Sequence, residues 1–81
     1  MAAAPSIHKV CVGVSAILKR RRLAQRLSLT RLAEEAGLSR QMVSYVERGF
    51  RVPGLDTLLR ICKVLELDAA AVLRRAQKWK Q

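Results

Sequence analysis

The stretch LTRLAEEAGLSRQMVSYVERG, residues 29–49, carries apolar residues at helical spacing on both sides of one glycine. Leu32, Ala33 and Ala36 fall on one arc before Gly37, and Leu38, Val43 and Val46 form a second set after it. A glycine just past a periodic run supplies the left-handed conformation that ends a helix without a Cβ penalty. Ser28 and Ser39 each precede one of the runs, where a hydroxyl can accept a bond from a first-turn N–H. The stretch therefore predicts two short helices, 29–36 and 40–48, joined by a tight turn, with Ala33 small enough for close approach.

The flanking sequence extends the same pattern. Val14, Ile17, Leu18 and Ala24 predict a first helix over 14–26, whose exposed side carries the run Lys19 to Arg22, with Arg21 and Arg22 on or beside the apolar arc so that at least one needs a carboxylate partner. Gly49, Pro53 and Gly54 mark a loop after the third helix. Leu55, Leu58, Leu59, Cys62 and Leu65 mark a fourth helix, and Asp68 can cap a fifth bearing a Val72, Ala76, Trp79 stripe. Strand-like alternation appears only weakly, at 7–12. The expected fold is an all-α, compact five-helix domain over residues 14–81, preceded by an N-terminal arm over residues 1–13. With 81 residues and only three aromatic side chains, the chain can bury one small aliphatic core.

Sixteen Lys and Arg against six Asp and Glu give a formal charge of +10, which favours polyanions or anionic surfaces as partners. Eleven of the sixteen are Arg, suited to bidentate phosphate and guanine contacts. Cys11 and Cys62 lie far apart without metal-spaced partners, so neither a zinc site nor a disulfide framework is expected, and no cofactor is implied. The amino end is too short and too polar for a signal peptide or a spanning helix, and a cytoplasmic, nucleoid-associated protein is expected. Catalysis is not expected either. The single histidine, His8, lies in the arm, there is no Gly-rich phosphate loop, and Glu34 and Glu35 are most simply a solvated face.

The third helix gives the charge a purpose. Its inward face is Val43 and Val46, and its outer face is Arg40, Gln41, Ser44, Tyr45 and Arg48. Arg and Gln carry the forked donors and acceptors that match guanine and adenine edges in the major groove. The Lys19, Arg20, Arg26, Arg48 and Arg51 cations can neutralise backbone phosphates.

The span LSLTRLAEEAGLSRQMVSYVERGFRVPGLDTLLRICKVLEL resembles the phage lambda repressor and Cro-like helix-turn-helix family, and the similarity covers about 14–73. It rests on Ala33, Gly37, Ser39, Val43, Ser44, Val46, Glu47, Gly49, Pro53 and Leu58 together. The resemblance implies a sequence-specific DNA-binding transcriptional regulator that places helix 40–48 in the major groove of a palindromic operator as a homodimer. It further implies base contacts from Arg40, Gln41, Ser44 and Tyr45, and phosphate contacts from Ser39, Arg48 and Arg51. Glu47, a carboxylate in the reading helix, is implied to pair with Arg22, or second with Arg21, in a structural role. Three positions depart from the family pattern. Leu29 stands where a phosphate-anchoring Gln is common, Arg31 where a Glu often completes a capping box, and Glu66 where a glycine often follows the fourth helix.

The expected partner is double-stranded operator DNA. A dimer seam is expected at Leu67, Val72, Leu73 and Trp79, with closure of the monomer core as the alternative use of these side chains and 7–12 as a further candidate seam. The alternative is an antitoxin or adaptor that uses the same fold mainly for a protein partner. Arg74, Arg75, Lys78, Trp79 and Lys80 have the composition of a membrane-surface helix, but Trp79 completes a stripe better explained by packing, so no membrane role is expected.

Overall fold

The structure is a computed structural model and describes residues 6–79. It contains five helices, α1 (Ile7–Ala24), α2 (Leu29–Ala36), α3 (Arg40–Glu47), α4 (Leu55–Leu65) and α5 (Ala69–Gln77), and no strand among the described residues. Serine and aspartate set the starts. The backbone N–H of Arg31 donates to Ser28 Oγ at 3.0 Å, that of Met42 to Ser39 Oγ at 3.0 Å, and that of Ala70 to Asp68 Oδ1 at 3.1 Å. Each cap satisfies a first-turn donor that has no partner inside its helix. Gly37 closes α2 at φ +71°, and the next N–H, of Leu38, returns to the Ala33 carbonyl at 2.9 Å. That turn throws α3 across α2 rather than continuing its axis.

The core is aliphatic. Leu18, Leu32, Val43, Val46, Ile61, Cys62, Leu65 and Val72 are essentially without solvent exposure, and one such side chain contributes about 1.5–3 kcal/mol by leaving water. Helix α1 runs through the middle of this packing and touches α3, α4 and α5, while α2 lies against α3 and α4. Burial raises the pKa of the Cys62 thiol, with Asp68 adding to the effect, so this sulfur behaves as a packed apolar group.

Helix α1 starts at Ile7, not at Val14. Ser6 caps it by accepting from the Lys9 N–H at 3.2 Å, so residues 7–13, expected as an arm or a weak strand, form its first turns. Gly13 reads in sequence as a boundary, yet it lies mid-helix because α5 comes too close for a side chain. A Cβ there would stand 2.8 Å from Trp79 Cβ and 3.1 Å from the Ala76 carbonyl oxygen. The arm shrinks accordingly, and residues 1–5 lie outside the described residues, as does Lys80.

At its other end α1 stops at Ala24, because Gln25 caps it and Arg26 takes a left-handed φ of +57°. Helix α3 likewise stops one residue early, with Arg48 as its cap and Gly49 at φ +76°. Val72 is 1% exposed and belongs to the monomer core, which removes it from the expected seam. Its spacing with Ala76 points it at α1, where both are buried. The left-handed turn after α4 is occupied by Glu66, at φ +56°, where the family pattern often has glycine.

Candidate nucleic-acid interface

Two neighbouring arginines of α1 fasten different parts of the domain, Arg22 the end of α3 and Arg21 the end of α4. Arg22 is 8% exposed and donates from Nε to Glu47 Oε2 at 2.6 Å and from Nη2 to Glu47 Oε1 at 3.0 Å, while its Nη1 holds the Leu27 carbonyl at 2.8 Å. The Glu47 side chain is 5% exposed in this clamp. Among the described residues, Arg21 takes no carboxylate. Its Nε donates to the Leu65 carbonyl at 2.9 Å, which Gln25 Nε2 also reaches at 2.9 Å, so the pair satisfies a carbonyl orphaned at the end of α4.

With Val43 and Val46 wholly buried, the opposite side of α3 is fixed by the helical period. Gln41, Ser44, Tyr45 and Arg48 stand at i, i+3, i+4 and i+7 and share one stripe, with Arg40 exposed beside it at the first turn. Gln41 Nε2 donates to Tyr45 Oη at 2.7 Å, which links two successive turns of the stripe. Ser39, Gln41, Met42, Tyr45 and Arg51 line a shallow concavity. The Ser39 hydroxyl oxygen is engaged in the helix cap, which leaves its hydrogen free to donate outward. The structure thus gathers Ser39, Arg40, Gln41, Ser44, Tyr45, Arg48 and Arg51 around α3 and the loop that follows it.

The cations of α1 are dispersed. Lys19 is exposed three residues before the buried Arg22, and Arg26 is exposed at the turn after the helix. Arg20, two residues from Arg22, projects from nearly the opposite side of α1, where its guanidinium lies 4.8 Å from the Trp79 ring centre. The structure does not bring Arg20 to α3. Leu29 is half-buried against the core, and Arg31 donates to Glu35 at 2.7 Å, an exposed pair that holds the Arg31 charge firmly. Glu34 and Glu35 both lie on the exposed face of α2, as the sequence suggested, with Glu35 paired to Arg31 there.

One residue of this surface carried no role in the sequence reading. Phe50 is 65% exposed directly after Gly49, with the Arg48 guanidinium 4.4 Å from its ring centre and the Tyr45 ring 6.1 Å away. The signal that marks it is an aromatic side chain placed after the helix-ending glycine in a chain that has only three. Among the described residues, no three His, Cys, Asp or Glu side chains gather as a metal site, and no helix is long and apolar enough to cross a membrane.

The chain matches the helix-turn-helix family model over residues 18–72. It is 37% identical over 59 residues to an uncharacterized HTH-type transcriptional regulator of Mycobacterium tuberculosis (strain CDC 1551 / Oshkosh), a match covering 73% of this chain and 42% of that protein. The chain therefore spans less than half the length of the curated relative. Among solved structures, a mutant of the restriction-modification controller protein C.Esp1396I superposes with a TM-score of 0.76 at 28% identity, over 85% of this chain and 90% of that one. The biofilm master regulator SinR, solved in complex with DNA, gives a TM-score of 0.69 at 28% identity, over 74% of this chain and 97% of that one.

Proposed function

Because the chain belongs to the Cro/C1-type helix-turn-helix family, we propose that it is a sequence-specific DNA-binding transcriptional regulator that lays α3 in the major groove of its operator. The observation that carries this reading is the outer stripe of α3. Gln41, Ser44, Tyr45 and Arg48 face outward together, and the one acidic residue of that helix is turned inward onto Arg22. Arg40, Gln41, Ser44 and Tyr45 would meet base edges, with Gln41 offering an adenine-type fork and Arg40 a guanine-type one. Ser39, Arg48 and Arg51, and more loosely Arg26 and Lys19, would hold phosphates. Arg20 stands apart and adds to the field rather than to the contacts.

One α3 of eight residues covers only a few base pairs, too little to find a single site in a genome. A two-fold dimer on a palindromic operator doubles the contacts, on half-sites about one helical turn apart. Leu73, 38% exposed, and the half-buried Leu67 and Trp79 remain available for a seam on this side. Leu55 and Leu59 stay exposed at i, i+4 on α4, which favours a protein-facing surface beside the DNA-binding one, as an antitoxin or adaptor would need. Selection from a randomised duplex library, followed by titration of the recovered site, tests the lead reading. A two-fold consensus with salt-dependent binding supports it, and recovery of no preferred sequence refutes it.

A further inference from the structure

We propose that Phe50 is a positioning residue for the DNA-reading face, its ring clamping Arg48 and Tyr45 so that Gln41, Tyr45 and Arg48 meet the duplex as one preorganised unit. This rests on the reading that α3 docks on double-stranded DNA. Phe50 gains little from folding, since it is 65% exposed and lies outside the core cluster, so burial does not account for its presence on a polar surface. Its ring meets Tyr45 and Arg48, both on the stripe of α3.

The clamp is built in three links. The Phe50 N–H donates to the Tyr45 carbonyl at 2.9 Å, which returns the chain onto α3 just after the left-handed Gly49. The ring then meets Tyr45 at an interplanar angle of 48°, while the Arg48 guanidinium sits 4.4 Å from its centre. Tyr45 Oη in turn receives the Gln41 amide at 2.7 Å. Arg48 has no carboxylate within salt-bridge distance among the described residues, because Glu47 is committed to Arg22, so the aromatic face is what orients it. Arginine and glutamine carry much rotamer entropy, and holding them before contact lowers the ordering cost that binding must otherwise meet.

The test compares Phe50→Leu, which keeps an apolar side chain but removes the aromatic face, with Phe50→Tyr, which keeps the face. A preferred duplex is first selected with the parent chain from a randomised library, and each variant is titrated on it and reselected. Phe50→Leu is expected to weaken binding to the selected duplex by about threefold to tenfold, as the Arg48 phosphate anchor loosens, and to flatten the preference at the positions read by Gln41 and Tyr45. Phe50→Tyr should stay within about twofold of the parent, and both variants should melt with the parent, since neither change touches the core. An unchanged Kd and consensus for Phe50→Leu would overturn the assignment while leaving the DNA reading intact. If Phe50→Leu instead melted well below the parent, a merely structural role would replace it. A parent that selects no sequence would overturn both.

Discussion

Arg22 and Glu47 meet in a two-point ion pair, 2.6 Å and 3.0 Å, that joins α1 to α3 from behind its polar stripe. Both side chains are nearly inaccessible, so each charge depends on the other for solvation. Glu47→Ala leaves the Arg22 guanidinium buried with only the Leu27 carbonyl, and should lower stability by about 3–5 kcal/mol, a large share for a small domain. Replacing both residues together by apolar ones of similar volume should cost much less. Urea denaturation of the single and double variants measures the difference, and a Glu47→Ala midpoint equal to the parent's would refute the buried pair.

Binding to DNA should fall steeply with salt. A dimer that displaces counterions at about 6 to 10 phosphates loses about three to five decades of affinity between about 50 and 200 mM salt. Fluorescence anisotropy across that range gives the slope, and a nearly flat log–log plot would contradict a phosphate-anchored complex.

Base readers and phosphate anchors should separate by mutation. Gln41→Ala is expected to cost about 1–3 kcal/mol at particular base pairs, because a forked edge contact is lost while the anchoring remains. Arg51→Ala, at the rim of the concavity, should weaken all sequences alike. Reselection on a randomised operator resolves the two, and an unchanged consensus for Gln41→Ala would remove α3 as the reader.

Two turns hold non-glycine residues in the left-handed region, Arg26 at φ +57° and Glu66 at φ +56°. The strain of each Cβ against its backbone is about 1–2 kcal/mol, partly offset in a glycine variant by a looser unfolded chain. Glu66→Gly and Arg26→Gly are therefore expected to stabilise by about 0.5–1 kcal/mol each. Denaturant midpoints decide it, and a loss of stability in both variants would show that the side chains contribute more than the strain removes.

Cys62 gives a pH signature. Burial raises its folded pKa, so its contribution to stability is complete at neutral pH, where folded and unfolded thiols are both protonated. As pH rises through the ordinary thiol range the unfolded chain loses its proton first, and stability falls by up to about 1.4 kcal/mol per pH unit until the folded thiol also ionises. Cys62→Ala should remove this part of the alkaline slope. In the native protein an alkylating reagent should modify the half-buried Cys11 well before Cys62. Equal labelling rates would show the Cys62 pocket to be open.

The helix pair and its neighbours were legible because short-range chemistry marks them. Ser28, Ser39 and Asp68 cap, Gly37 turns left-handed, and the aliphatic stripes of α2 and α3 bury as their period requires. What escaped depends on distant contacts. Gly13 ends nothing, since its missing side chain answers to Trp79 and Ala76 across the domain. Leu55 and Leu59 fit the helical pattern of α4 and yet stay exposed, and Val72 turns inward, because periodicity names an apolar arc without saying which part of it a neighbour covers. On the interface, the polar stripe of α3 follows from spacing, whereas the placement of Arg20 over Trp79 depends on a residue far along the sequence, and that of Phe50 on the turn its chain takes after Gly49.

The close approach at Gly13 ties the first helix of the chain to the last. In a nascent polypeptide α2 and α3 leave the ribosome before α5 does, so the helix pair emerges while α1 still lacks the partner that covers its Gly13 side. Closure of that contact spans nearly the whole sequence and carries the entropic cost of a long loop, which places it late among the events of folding. The helix pair then rests on an α1 whose other face is covered last, when α5 closes on Gly13.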